Sequence, residues 1–324
     1  MTKLEALKNI SNLSALVVGD VMIDAYLFGK VERNSPEAPV PVVLLTGRDE
    51  RAGGAANVAR NIQALGAQVH LATVIGDDPA GSRLLELFKA REMGVDACLV
   101  SEGRPTTIKT RIIRDKEHML RVDEETDVEI SKELSSSLLS SCISILEAKK
   151  IDVVIFEDYD KGVLTKELIS GLTSEAKNRG IPVAVDPKLK GFLNYQGVDL
   201  FKPNLKELRE GLNLKFEVPE GLPSAILSMH EKINPIISLT TLGGFGMWVH
   251  APSLDVSQTH FPCRPSNIID VSGAGDTVIA TAALMLASGA SPTDIAETAN
   301  LAGGLVCEQS GVVTIDLDKL LSES

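Results

Sequence analysis

The chain of 324 residues is short of cysteine, of basic charge and of long apolar runs, and each shortage removes a class of protein. Its four cysteines, Cys98, Cys142, Cys263 and Cys307, form no C-x-x-C pair and have no histidine at metal-ligand spacing, which argues against a disulfide framework and a zinc site. They read as buried or half-buried thiols of a reducing compartment. Lys and Arg number 32 against 44 Asp and Glu, a formal net charge of −12. So acidic a chain lacks the basic face that phosphate-backbone binding needs, and no nucleic-acid partner is expected. No run approaches the ~18 apolar residues of a membrane span. Charges also interrupt the N-terminal MTKLEALKNISNLSALVVGD, where a signal peptide needs a continuous apolar stretch. The expectation is a cytoplasmic protein with no membrane partner.

Several catalytic signatures are missing as well. The sequence's single Gly-Lys pair, Gly29-Lys30, is followed by Val31, so there is no G-x-x-x-x-G-K-S/T phosphate loop. There is no G-x-S-x-G elbow, no H-E-x-x-H and no protein-kinase signature. The five histidines, His70, His118, His230, His250 and His260, show no metal-binding pairing.

What is present is a chain 44% apolar, able to bury a large core, with no repeat and no linker long enough to separate independent domains. A single domain over 1–324 is therefore expected. Short Val/Ile/Leu/Ala runs at 15–19, 69–75, 153–156, 183–185, 200–202 and 236–240 are joined by helical patterns at 55–65, 80–91, 131–146, 166–179 and 205–211, and two more at 274–288 and 292–309 close the chain. That alternation predicts an α/β fold, its parallel sheet covered by helices on both faces, because continuously apolar strands have no solvent face. Two stretches, Val31–Arg48 and Cys98–Asp123, break the rhythm. The period-two pattern in TTIKTRIIRDKEHMLRVDEE predicts β-ribbons standing off the sheet with one apolar face. Such a face, with Val42, Leu44, Ile108 and Ile112, needs a cover, and a homodimer through the ribbons is expected.

The strongest motif is DVSGAGDT, Asp270 to Thr277, which opens the apolar pattern VIATAALMLASGA. Glycines at a helix start leave backbone N–H groups bare and the helix dipole favours an anion, so Gly273, Ala274 and Gly275 form a candidate phosphate cradle. Asp276, on the first turn, can accept a proton from an attacking hydroxyl. The dipole is expected to lower its pKa, leaving a weak base of the kind a loose phosphoryl-transfer transition state tolerates. The same residues also make an ordinary capped turn. In RAGGAAN, Gly53 and Gly54 stand at another helix start without dinucleotide spacing and suit close approach of a polyol. Asp24, read as just past the first strand, lies where ligands of open α/β sheets bind. In KPNLKE, Asn204 and Glu207 are placed as helix cap and third helical residue, which is equally a capping box. TLGGFG, from Thr241 to Gly246, is a turn between strands or a loop skirting a nucleotide. Lys161 and Lys188 sit at strand ends, while Arg33, Lys109, Arg111, Arg114 and Arg121 stud the ribbons. Cations clustered in an acidic chain are what a phosphorylated substrate calls for.

Taken in order, GGAANVA, KPNLKE, TLGGFG and DVSGAGDTV resemble the ribokinase-like (pfkB-type) carbohydrate kinase family, from about Ala15 to Ile315. Within it, SPEAPVPVV, DYDKGVL and VDPK resemble the bacterial D-glycero-D-manno-heptose 7-phosphate kinases. The resemblance implies a Rossmann-like doubly wound, mostly parallel sheet and a small β-sheet lid formed by about 31–48 and 98–123. It implies ATP with Mg²⁺ as donor, a monovalent cation as an option, and a dimer through the lids. The implied reaction is phosphorylation of the anomeric C1 hydroxyl of heptose 7-phosphate to the 1,7-bisphosphate, for ADP-heptose and lipopolysaccharide. A kinase of another sugar (fructose phosphate, ribose or a nucleoside) is the alternative, with a non-catalytic sugar-binding relative behind it. By motif, Asp276 matches the base and Gly273, Ala274 and Gly275 the anion hole. Asp24, Gly53, Gly54 and Asn57 fall at sugar-contacting positions, and Arg33, Lys109, Arg111, Asp158, Lys161, Asp186 and Lys188 complete the expected substrate site. Asn204 and Glu207 match an Asn-x-x-Glu pair that tunes Mg²⁺, Glu207 acting through water. Thr241, Gly243 and Gly246 lie along the nucleotide loop, and Asn300 at the purine pocket. Ser272 stands where the family shows Thr, and Glu157 where related sequences carry a smaller residue. Such kinases are often fused to an adenylyltransferase with an H-x-G-H motif; the motif does not occur here, so the kinase step alone is expected.

Overall fold

The apolar runs of the sequence become the middle of a nine-stranded sheet. The computed structural model describes residues 2–115, 117–263 and 267–324. Its strands are β1 (Ser14–Gly19), β2 (Val21–Asn34), β3 (Pro41–Gly54), β4 (Gln68–Gly76), β5 (Gly94–Ser101), β6 (Ile108–Arg114), β7 (Glu117–Glu124), β8 (Val153–Glu157), β9 (Val183–Asp186), β10 (Leu200–Phe201), β11 (Ile237–Thr241), β12 (Met247–Ala251) and β13 (Val256–Phe261). The large sheet runs β13-β12-β11-β10-β9-β8-β1-β4-β5, parallel except that β12 pairs antiparallel with β11 and β13, and the small one runs β3-β2-β6-β7. Every residue of β1, β8 and β9 is buried, as continuous apolar runs between two helical layers require. One core packs the helices Ala55–Ala64, Ala274–Ala287 and Pro292–Cys307 on one face; the other packs Lys132–Ala148, Lys166–Asn178 and Leu222–Ile233 on the opposite face. Among the described residues no helix is long and apolar enough to cross a membrane.

Strand order reverses between β1 and β8: the chain leaves β1 toward β4 and β5, and leaves β8 toward β9, β10 and β11. Ligands of open α/β sheets bind beyond the carboxyl ends of strands at such a reversal. Gly19, Glu157 and Asp186 end β1, β8 and β9 in mutual register there. A Cβ on Gly19 would stand 1.9 Å from the Glu157 carbonyl oxygen, so only glycine fits between the strands.

The small sheet does not keep the expected bounds of 31–48 and 98–123. β2 begins at Val21, β3 runs to Gly54, and Cys98–Ser101 ends β5 in the large sheet. Edge strands have one half-covered face and therefore show the same period-two pattern as ribbons, which is why β5 reads as one. Asp24 accordingly lies within β2 of the small sheet and not past the end of β1. Of the apolar residues expected to face water, Leu44 is exposed, whereas Val42, Ile108 and Ile112 are half-buried.

Candidate active site

Two helices and the loop after β8 converge on one carboxylate. Gly273 takes a left-handed φ of 78° at the start of helix Ala274–Ala287, and a Cβ there would press on Asn57 Nδ2 at 3.0 Å. Asp270 shapes the approach: its oxygens accept from Ser272 N and Gly311 N, both at 2.9 Å. One turn into the helix, Asp276 Oδ2 accepts from Asn57 Nδ2 at 2.7 Å and Oδ1 from the Tyr159 hydroxyl at 2.8 Å. Thr277 donates to Asn61 Oδ1 at 3.0 Å, so the helix that begins at Ala55 is latched through two of its turns to the helix Ala274–Ala287. Tyr159 is set by Asp20, whose buried carboxylate accepts the backbone N–H groups of Tyr159, Lys161 and Val163 at 2.9, 3.0 and 3.1 Å.

Burial pushes the Asp276 carboxyl up to about 6, against the lowering by its bonds to Asn57 and Tyr159. This reverses the expectation from the helix dipole. A dipole is worth ~0.3–1 kcal/mol, under one pKa unit, whereas full burial moves a carboxyl by up to ~3–5 units. Burial and the neighbouring Asp276 raise the Tyr159 hydroxyl well above its usual value, so it stays protonated and donates.

A cavity of about 450 Å³ opens in front of Asp276. Gly273, Ala274, Gly275, Asp186, Lys188, Asn204 and Glu207 line it, with Thr241, Gly243, Gly246 and Asn300 further along, so the expected base, cradle and nucleotide residues share one cleft. Asn204 and Glu207 do form a reciprocal capping box, at 2.9 and 2.8 Å, and Glu207 Oε1 also holds Lys188 Nζ at 2.8 Å. The capping reading of that motif is therefore observed, and both residues also line the cleft. Gly246, at φ 91°, packs against the Phe261 carbonyl, and Asn300 Nδ2 donates to Pro262 O at 2.9 Å.

Several residues expected on the sugar side, Asp24, Gly53, Lys109 and Arg111, stand on strands of the small sheet. Asp24 is buried and paired with Arg111 Nη1 at 2.5 Å; a Cβ on Gly53 would stand 2.1 Å from Asp24 Oδ2. Gly54, at φ 62°, begins the helix that carries Asn57. Lys109 and Lys161 share Glu125, at 2.7 and 2.8 Å. The remaining expected cations go elsewhere. Lys188 faces the cleft beside Glu207, and Arg33 is exposed nine residues beyond Asp24 on a strand rising ~3.3 Å per residue. Asp158 is also diverted: it accepts from Tyr195 at 2.6 Å and from Asp160 N at 2.8 Å, and burial raises its carboxyl to about 7.

Three participants have roles that the sequence does not announce. Tyr159 lies inside DYDKGVL, where only its neighbours carry an expected role, and it donates to Asp276. Lys202, nearly fully buried, pairs with Asp186 Oδ2 at 2.8 Å. Burial opposes the charge of Lys202, yet Asp186 and Glu207 hold its pKa above the usual value. Arg51 reaches Val312 O at 2.9 Å and stacks over Tyr26, tying β3 to the C-terminal loop. Hard oxygen donors, Glu207, Asp186, Asp276 and Glu157, surround the cleft floor, a set that fits Mg²⁺.

The model for the pfkB family carbohydrate kinase matches residues 12–320. The chain belongs to the pfkB family. It is a phosphotransferase with an alcohol group as acceptor. This pfkB kinase is 39% identical over 305 residues to the bifunctional protein HldE of Sulfurimonas denitrificans, covering 94% of this chain and 63% of that protein. It is 42% identical over 315 residues to HldE of Caulobacter sp. (strain K31), covering 96% and 62%. The chain thus spans a little under two thirds of the curated relatives it matches. In fold it is similar to phosphofructokinase-2 from Escherichia coli in complex with fructose-6-phosphate, at TM-score 0.76 and 19% identity, over 96% of this chain and 98% of that one. Arabidopsis thaliana ribokinase complexed with ribose and ATP superimposes at TM-score 0.73 and 18% identity, over 96% and 99%. The mostly parallel sheet with its small β lid is the fold they share.

Proposed function

We propose that this chain transfers the γ-phosphoryl group of ATP to the anomeric C1 hydroxyl of D-glycero-β-D-manno-heptose 7-phosphate, in the cytoplasm. The observation that carries the chemistry is Asp276, buried at a helix start between glycine cradle and lid, with one oxygen on Asn57 and the other on Tyr159. A carboxylate whose pKa is about 6 is ionised at neutral pH and close enough to it to accept a hydroxyl proton late in transfer. The N–H groups of Gly273, Ala274 and Gly275 meet the charge developing on the transferred group. Lys188 and Lys202 add positive charge along the same wall. Glu207 would hold Mg²⁺ through water, and the ion would supply neutralisation of phosphate charge.

The sugar assignment rests on the heptose-kinase-like segments, on the similarity to the HldE proteins, and on the Lys109–Glu125–Lys161 group beside Asp24, Gly53 and Arg111. A sugar 7-phosphate brings about −1.5 to −2 charge, which two lysines match once Glu125 gives way and Asp123, on Lys109 at 3.2 Å, yields too. The exposed Leu44, Leu45, Leu120 and Val122 of the small sheet support a homodimer through the lids. Coupled-assay turnover against heptose 7-phosphate, fructose 6-phosphate, ribose and a nucleoside tests the reading. The highest kcat/KM is expected on heptose 7-phosphate; a clear preference for another sugar overturns the assignment while leaving the mechanism at Asp276 in place.

A further inference from the structure

Asp20, between β1 and β2, takes no part in the transfer chemistry above, yet its contacts reach toward both the floor of the cleft and the lid. It is 1% exposed, and its main chain is pinned on both sides. Asp20 N donates to Glu157 O at 3.2 Å, and Asp20 O accepts at 2.9 Å from Ala55 N, the first residue of the helix that carries Asn57. The carboxylate is thus a fixed point between strand and helix. Its Oδ2 accepts from both Tyr159 N and Lys161 N, at 2.9 and 3.0 Å, and its Oδ1 from Val163 N at 3.1 Å. The backbone changes hand between these donors, with φ of 55° at Asp160 and 84° at Gly162, and alternation of this kind turns peptide N–H groups toward one anion. Arg104 closes the loop from its other side by donating to the carbonyls of Lys161 and Val128. Burial raises the pKa of Asp20, and the three N–H groups and Arg104 oppose that rise. With both oxygens accepting, the geometry fits the ionised form.

The two N–H groups on Oδ2 belong to residues whose side chains serve different places. The Tyr159 hydroxyl donates to Asp276 at 2.8 Å, whereas Lys161 Nζ reaches Glu125 under the lid at 2.8 Å. One oxygen therefore fixes the backbone from which both side chains are aimed. We propose that Asp20 is a positioning residue that sets the floor and the lid together, holding Tyr159 on Asp276 and Lys161 at the phosphate end of the sugar through a single loop.

Steady-state kinetics of Asp20→Ala, alone and combined with Tyr159→Phe or Lys161→Ala, test this. Alone, the substitution should lower kcat about fivefold and raise KM for the phosphorylated sugar about tenfold, with KM for ATP within about twofold of the wild type. Added to Tyr159→Phe it should lower kcat less than about twofold further, and added to Lys161→Ala it should raise KM less than about twofold further, because a residue acting through another contributes nothing once that other is gone. Effects that multiply undiminished in either background, or a KM for ATP that rises with that for the sugar, overturn the proposal. Hydrogen exchange read by mass spectrometry gives a readout without turnover. Residues 159–163 should exchange at least about tenfold faster in Asp20→Ala while β8 is unchanged; equal exchange also overturns the proposal. Only the Lys161 arm rests on the sugar reading: Lys161→Ala with an unmoved KM fails that reading, and the Tyr159 arm and the exchange then judge Asp20 by themselves. Circular dichroism checks each fold; should Asp20→Ala not fold, Asp20→Asn, with one accepting oxygen in place of two, replaces it with the same outcomes.

Discussion

The floor of the cleft and the underside of the lid both present charge to a ligand, and they do so by opposite means. At the floor Asp276 is buried and already oriented by Asn57 and Tyr159. Under the lid Lys109 and Lys161 hold Glu125, and Arg111 holds Asp24, through side chains that keep 13–15% exposure. The carboxylate at the floor is already oriented, whereas on the proposed reading the lid's cations change partners when a phosphorylated sugar binds. A preorganised group acts most strongly on the transition state; exchanging one partly buried ion pair for another acts mainly on binding. Substitutions at the floor should therefore strike kcat, and those under the lid KM.

The largest effect is expected at the floor. Asp276→Asn should lower kcat by about two to four orders of magnitude while nucleotide binding, read by titration, persists. Retention of more than about a tenth of wild-type kcat would remove Asp276 as the base. The same variant should gain stability at neutral pH. Because the folded pKa of about 6 exceeds the ordinary 3.8, the stability contributed by the protonated form is complete below the lower value and is lost as pH rises through the upper one. Asparagine has no such loss, so its melting temperature should exceed that of the wild type at neutral pH and converge with it toward about pH 4.

Under the lid, Lys109→Ala and Lys161→Ala should each raise KM for the phosphorylated sugar about tenfold or more, with KM for ATP nearly unchanged. An equal fall in kcat with KM unmoved would erase the contrast between the two regions. Tyr159→Phe sharpens it from the floor side. Losing a hydrogen bond worth about 1 kcal/mol removes a donor that favours ionised Asp276, so its pKa should rise by up to about one unit. The acidic limb of the kcat/KM profile should move to higher pH and kcat fall several-fold; a limb that stays put assigns the tuning to Asn57 alone. The smallest effect on turnover is expected at the outer lid face. Sedimentation at tens of micromolar should show a dimer, and Leu44→Glu with Leu120→Glu a monomer of near-normal kcat. A monomeric wild type would mean that the lid folds over its own site and covers nothing else.

Much of the floor was legible because its signals are local. Gly273 is needed where φ is positive, Asp276 follows within the first helical turn, and Asn204 and Glu207 are three residues apart. The lid was less legible: its strands run well past the segments with clear alternation, and Asp24, read as a turn residue, pairs within a fourteen-residue strand. Tyr159 and Lys202 gave no signal, since a tyrosine after a strand and a lysine before a proline are ordinary neighbours in sequence.

The sequence by itself determined the central strands and helices, the parallel sheet with its helical layers, the glycine turn at Gly273 and the place of Asp276 on the first turn of a helix, because apolar periodicity, left-handed turns and helix starts are written within a few residues. The tertiary structure decided which groups meet Asp276 and how it titrates. Asn57 and Asp276 are 219 residues apart and meet only because two helices pack face to face. The pKa of Asp276 follows burial, a property of the whole packed molecule, and burial outweighs the local helix dipole that the sequence shows.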